Sequence, residues 1–273
     1  MGLGIRRKAF HALAGWGPVR SLWVEPVRRW VLEEERERVA RNYFDHIRGA
    51  HAGQRGFVVG NGPSLLMSDL SRLQGEVTIA SNLIHLAFDQ TAWRPSYVTV
   101  IDELVWRKMV KEARRNYSSL IIGASLDPTL TDCMTYVVRH LGHAPFLAGD
   151  IAFSGDMAKG VYGGSTVTYT NLQLARHLGL NPVYLIGCDH YYNEPANVRE
   201  LVPVADAGNN HFAAGYRQPG ERVNPAPIAN MTRSFEIAQA YCDATDFRIY
   251  NATRGGHLEA FPRCLFDNLM VET

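Results

Sequence analysis

This chain lacks most of the signatures that place a sequence quickly. It has four cysteines, Cys133, Cys188, Cys242 and Cys264, and no pair has C-x-x-C spacing. A zinc ribbon or a thioredoxin-like redox pair is therefore excluded, and the thiols read as free cysteines in a reducing compartment. No run of about 18 apolar residues is present to span a bilayer, and no uninterrupted apolar stretch precedes a small-residue cleavage site. The expectation is a cytoplasmic protein. A formal net charge of +1 over 273 residues gives no global field for nucleic acid. The glycine-rich turn at 60–62 is not followed by G-K-[ST], so it is no Walker A loop, and it lacks the third glycine of the dinucleotide fingerprint. Internal repeats and low-complexity tracts are absent as well.

What is present is unevenly distributed. An apolar share of 46% suffices for a substantial core. Residues 1–30 hold Arg6, Arg7, Lys8, Arg20, Arg28 and Arg29 against Glu25 alone, which leaves the remainder of the chain net negative. Trp16, Trp23 and Trp30 recur every seven residues there, followed by the charged, helix-forming "VLEEERERVARNYFDHIR". Residues 1–54 thus read as an N-terminal helical appendage, in which Pro18 and Pro26 should interrupt any long continuous helix. Two readings stand for its basic, Trp-bearing part. It is either a peripheral contact with an anionic membrane surface, at the inner membrane, through residues 1–30, or a segment whose tryptophans pack on the main domain.

From residue 55 the pattern becomes short apolar runs alternating with helical stretches. "FVVG" (57–60), "VTIAS" (77–81), "YVTVI" (97–101), "LIIGA" (120–124), "VYLIGCD" (183–189) and "FRIYNAT" (247–253) read as strands. Most are nearly continuous apolar runs, as buried parallel strands are. The expected fold class is α/β: a Rossmann-like parallel sheet with helices on both faces, spanning 55–273, with a lid region at about 190–231 where periodicity is lost. In such sheets ligands bind beyond the carboxyl ends of the strands. Every chemically suggestive motif lies just after one of these runs.

Gly60, Asn61, Gly62, Pro63 and Ser64 follow the first strand: glycines for close backbone approach, a proline suited to a helix start, and a capping serine. Asn82 ends the second strand, as a base or ribose contact or as a helix cap. Asp102 ends the third, as a Mg²⁺ or ribose ligand or again as a cap. Gly164, Ser165 and Thr166 precede an amphipathic helix and offer a second helix start for an anion. Asp189, His190, Tyr191 and Tyr192 turn a buried-strand pattern abruptly polar and aromatic. His211 and His257 are the natural general acid or base candidates. Asp189, His190 and His211 match no recognised ligand spacing, so no metal site is expected.

The ordered set "GNGPSL", "ASN", "PSYVTVID", "GGST", "VYLIGCDHYY", "NNHF" and "YNATRGGHLE" resembles the domain family of 6-hydroxymethylpterin diphosphokinases and flagellin motility accessory factors. It is also similar to the small bacterial sialyltransferases that use a CMP-activated sugar. The resemblance covers roughly residues 56–262. It implies a nucleotide against Gly60, Asn61, Gly62 and Asn82, with Thr166 on the base or sugar and Tyr191 on the leaving phosphate. It also implies a homo-oligomer. In those transferases the base is a second histidine shortly after the one matched by His211. Here that region reads Ala213, Ala214, Gly215, Tyr216, so either His211 serves or the reaction differs.

The leading expectation is a glycosyltransferase-like enzyme that moves a sugar from a nucleotide donor, CMP-linked by preference, to a glycan, lipid-linked or protein acceptor, with no tightly bound cofactor. The alternatives are a Mg²⁺-dependent diphosphokinase of the pterin type, with Asp102 and Asp189 as metal ligands, and a catalytically silent nucleotide-binding homologue.

Overall fold

The computed structural model describes residues 20–123, 126, 134–147, 151–192, 201–203 and 210–271. Seven parallel strands form the central sheet: β1 (Gly56–Val59), β2 (Val77–Ser81), β3 (Tyr97–Val100), β4 (Ser119–Gly123), β5 (Met134–Val138), β8 (Val183–Ile186) and β11 (Ile249–Asn251). Two further parallel strands, β6 (His140–His143) and β7 (Val161–Gly163), pair beside it, and β9 (Val202–Pro203) pairs antiparallel with β10 (Arg222–Val223). The fold is the Rossmann-like α/β class expected from the strand pattern.

Alternation along the strands builds two cores. Val58, Ile79, Ile121 and Leu185 face one side, while Phe57, Val59, Ala80, Leu120 and Ile122 face the other. Successive side chains point to opposite faces, so a sheet covered twice needs apolar residues at consecutive positions. The first core is closed by α1 (Arg20–Ile47), α4 (Val167–His177) and α5 (Ile228–Ala244), through Phe44, Leu172 and Phe235 among others. The second is closed by α2 (Met67–Arg72), α3 (Glu103–Asn116) and α6 (Phe266–Leu269), with Leu70, Trp106, Met109 and Phe266 buried.

The sheet order is β11-β8-β1-β2-β3-β4-β5. The chain therefore runs outward from β1 to β5, then returns to lay β8 and β11 on the opposite side of β1. The carboxyl ends of β1 and β8 flank the switch point, where an open α/β sheet leaves a crevice.

Three expectations need correction. First, α1 runs unbroken through Pro26. This proline is the seventh of 28 residues, so it removes one hydrogen bond near the helix start, while Ala40, Phe44 and Ile47 anchor the far end in the core. Residues 40–47 belong to the packing of the domain, and the side chain of His177 in α4 hydrogen-bonds the Phe44 carbonyl at 2.7 Å. Second, residues 134–138 add a strand, β5, to those expected from the sequence. It lies at one edge of the sheet, β11 being the other, and its MTYVV is as apolar as the YVTV of β3. Third, helix α5 begins at Ile228, inside the span read as lid. The membrane reading of residues 1–30 lies outside the residues whose side chains are described. Among the described residues no helix is long and apolar enough to cross a membrane.

Candidate functional site

The GNGPS turn does not hold an open anion site, because the protein fills it from within. The Gly60 N–H donates to the Ile186 carbonyl at 2.8 Å and the Gly62 N–H to the Gly187 carbonyl at 2.9 Å. Across the turn stands the Asp189 carboxylate, whose Oδ2 accepts the Ser64 hydroxyl at 2.8 Å and the Ser64 N–H at 3.4 Å. A Cβ on Gly62 would lie 1.8 Å from that oxygen, and one on Gly60 would lie 2.2 Å from the Gly187 carbonyl. The glycines thus admit the close approach of the β8 turn. Ser64 is no cap either: α2 starts at Met67 behind Leu66, without a side-chain cap bond. Burial pushes the Asp189 carboxyl above the usual carboxylate range, against the pull of Ser64.

The motif "YNATRGGHLE" closes the same corner from β11. The His257 N–H donates to the Asp189 carbonyl at 2.7 Å, and Gly256, with φ +73°, has no room for a Cβ beside Asp189. The Asn251 side chain is spent on the Leu258 carbonyl and the Thr253 N–H. Arg254 grips both carboxyl oxygens of Asp69, at 2.8 and 2.9 Å, and also pairs with Asp267. These residues brace the site.

Beyond the strand ends lies a small cleft of about 100 Å³, open to solvent. Its floor comes from Gly60, Asn61, Gly62, Ser81 and Asn82, and one wall from Gly187 to Tyr192. Thr166, Val167 and Thr168 bring the N-terminus of α4 to it, and Asn210, His211 and Tyr216 close over it. Thr166 caps α4 by accepting the Thr168 N–H at 3.3 Å. Among the described residues, the non-glycine positions with left-handed backbone are Asn82 (φ 57°), Ser165 (φ 59°) and His190 (φ 55°). All three sit at or next to the cleft. Strained backbone gathered at one place is a mark of a functional site.

The cleft is rich in acceptors. Asn61 donates its amide N–H to the Ser81 carbonyl, leaving Oδ1 without a partner. Asn82 Oδ1 and His190 Nδ1 are likewise buried and unpartnered. The His190 tautomer follows from its neighbour: the Thr232 hydroxyl gives its proton to the Ile228 carbonyl at 3.0 Å, so it accepts from His190 Nε2 at 2.7 Å. Burial lowers the His190 pKa, leaving Nδ1 a bare lone pair. No lysine or arginine is among the described residues lining the cleft.

His211 is held rather than loose. Its ring stacks on Tyr216 with centroids 3.8 Å apart, and the next residue, Phe212, donates its N–H to the Asn61 carbonyl at 3.0 Å. Burial, then the neighbouring Arg217 charge, depress its pKa to about 4, so the imidazole is neutral near pH 7. The described part of the expected lid is thus fastened to the body.

Of the other expected site residues, Tyr191 lines the cleft half exposed, with its ring centroid 5.5 Å from that of His257, which stands outside. Pro63, Ser64, Gly164 and Ser165 lie behind the lining, and a Cβ on Gly164 would meet the buried Tyr169 ring at 2.4 Å. Asp102 takes the capping role: Oδ1 accepts the N–H groups of Leu104 and Val105, and Oδ2 accepts the Asn224 amide. It does not reach the cleft. Thr168, Cys188 and Asn210 line it without having been picked out in the sequence. Cys188 is a buried thiol pushed up to about 12 by desolvation, and Asn210 had its place beside His211 as its one signal.

The fold and crevice define a Rossmann-like α/β domain with a cleft at the switch point of its sheet. A family model described as MptE-like, 6-hydroxymethylpterin diphosphokinase MptE-like, matches residues 33–195, and the chain belongs to that family. The solved structure of the MAf glycosyltransferase from Magnetospirillum magneticum AMB-1 superposes with a TM-score of 0.50 at 17% identity, covering 97% of this chain and 47% of that one. What the two share at that identity is the fold, and this chain spans about half the length of the other. Comparison with curated proteins finds no match.

Proposed function

We propose that this protein is a glycosyltransferase-like enzyme that moves a sugar from a nucleotide donor, CMP-linked by preference, to a hydroxyl of a glycan, lipid-linked or protein acceptor. The observation that carries the reading is the character of the cleft: unpartnered acceptors, one helix N-terminus and no described cation. Such a site suits a ligand rich in hydroxyl and amino donors with a single phosphodiester charge, which the α4 terminus attracts. A triphosphate brings several more charges, which call for cations to meet them.

In this reading the acceptor oxygen bonds to the anomeric carbon as the bond from that carbon to the phosphate oxygen breaks. The hydroxyl proton passes to the neutral His211. The electron pair leaves with the nucleoside monophosphate, whose second negative charge meets the α4 terminus and the Tyr191 hydroxyl. The test is nucleotide release from CMP-, UDP- and GDP-sugars by wild-type and His211→Ala protein. A fall of about 100-fold or more is expected in the variant. Unchanged turnover removes His211 from the mechanism, and failure to bind any nucleotide sugar removes the proposal.

The family's description favours a second reading, pterin diphosphokinase, which requires Mg²⁺. The donor set fits it poorly. Asp102 spends its oxygens on a helix cap and Asn224, and Asp189 spends one oxygen on Ser64. Among the described residues no three His, Cys, Asp or Glu side chains are grouped to hold a metal. Strict Mg²⁺ dependence of turnover with ATP and a pterin alcohol would reinstate it.

A further inference from the structure

The His211 ring rests on Tyr216, and that neighbour is fixed from outside the cleft. Tyr216 is 1% exposed. Its ring supports the imidazole, and its hydroxyl is met by the Leu83 N–H and the Asn82 amide at the end of β2. Its carbonyl accepts a hydrogen bond from Lys108 Nζ on α3. Lys108 also pairs with Glu221 Oε2 at 3.0 Å, and the other Glu221 oxygen takes Arg217 Nη1 at 2.9 Å. The Gln218 N–H adds a third donor at 2.9 Å. Gly215 and Gly220, both in the left-handed region, flank the turn in which Arg217 and Glu221 pair beside Lys108 of α3. Side-chain exposures of 30% for Lys108, 22% for Glu221 and 16% for Arg217 set this cluster apart from the exposed pairs elsewhere, whose members contribute little.

We propose that Lys108, Glu221 and Arg217 are positioning residues that set the place and the basicity of His211 through Tyr216. The proposal rests on reading His211 as the group that takes the proton. Geometry supplies the first half: removing Glu221 leaves two cations without their shared partner, so that Lys108, which ties the Tyr216 turn to α3, loses the carboxylate that holds it in place. Electrostatics supply the second. Arg217 and Lys108 hold the imidazole pKa down while Glu221 pulls it up, together with the Asn61 carbonyl, and burial dominates all of them. The other ionisable groups lining the same cleft are Cys188, Asp189, His190, Tyr191, Tyr192 and Tyr216. The cluster therefore balances two cations against one carboxylate beside a desolvated base.

The imidazole itself reports the outcome, with no substrate needed. In full-length protein labelled at histidine Cε1, the His211 resonance, assigned by its loss in His211→Asn, is followed from pH 7.5 to 3.5. Arg217→Gln should raise its midpoint by about half a unit or more, and Glu221→Gln should lower it. Lys108→Arg should keep the wild-type midpoint, whereas Lys108→Met should raise it and broaden the resonance as Tyr216 loses its tether. The dispersion of the remaining histidines shows in the same spectra whether each variant is folded, and the partly exposed Arg217→Gln carries the test if Lys108→Met is not. Midpoints that coincide in Arg217→Gln, Glu221→Gln and wild type overturn the proposal. If the midpoints move as expected but no nucleotide sugar is turned over, the cluster stands and the glycosyltransferase reading falls.

Discussion

Two glycine-bearing turns look alike on paper and differ in the folded chain. Gly60–Ser64 and Gly164–Thr168 both join a strand to a helix through small residues and a hydroxyl. The first has its N–H groups committed to the β8 turn and the Asp189 carboxylate seated across it. Behind it comes a helix of six residues. The second opens into the cleft at the head of an eleven-residue helix capped by Thr166. The first N–H groups of a helix have no intrahelical acceptor; Thr166 takes that of Thr168, so Val167 presents polar backbone where Gly60 and Gly62 have none to spare. The lesson is that a glycine turn is an anion site only if nothing in the protein arrives first.

The sharpest way to break this comparison is to put a methyl group where the internal carboxylate lies. Gly62→Ala sets a Cβ 1.8 Å from Asp189 Oδ2 and 2.9 Å from the Gly187 carbonyl. Backbone lies on one side and a hydrogen-bonded carboxylate on the other, so neither yields cheaply. A loss of about 3 kcal/mol or more is expected in chemical denaturation. If the alanine variant keeps wild-type stability, the turn has the open space of a ligand loop and the contrast fails.

The second turn should respond less in stability and more in binding. Thr166→Ala removes the cap of α4 and should cost about 1 kcal/mol. The same change should weaken binding of a nucleotide sugar, measured by titration calorimetry, because the cap holds the α4 terminus at the cleft wall. Equal affinity for CMP in wild type and variant would mean that the phosphate lies elsewhere.

How much of this was readable beforehand follows the range of the interactions. The parallel strands announced themselves because doubly covered strands need consecutive apolar residues, and the polar burst after β8 stood out because core packing does not account for it. Strand β5 escaped although its MTYVV is as apolar as the YVTV of β3. Asp189 drew notice, yet its partner Ser64 lies 125 positions away, and nothing local says that a carboxylate will close a distant turn. Asp102 carried both a ligand and a cap reading, and only the neighbouring N–H groups of α3 decided between them. The left-handed backbone of Ser165 and His190 was equally silent, because no glycine marks it.

The smallest effect is the most telling about Asp189. Two contributions oppose each other there: desolvation raises its pKa, and the Ser64 bonds lower it, with the net shift upward. The folded chain then holds its proton at a pH where the unfolded chain, with an ordinary value of about 3.9, has lost it. This group's contribution to stability is therefore fully present below the unfolded value and lost as pH rises through the folded one. Near neutrality wild type bears the cost of a partly buried charge. Asp189→Asn cannot ionise, so it should melt slightly higher than wild type at pH 7, with the gap closing as pH falls towards 4. Asn can still accept from Ser64, though more weakly than a carboxylate, and this keeps the gain small. If the two proteins differ by the same amount at both pH values, the carboxylate is not buried against the first turn as the structure has it, and that turn returns to the pool of open anion sites.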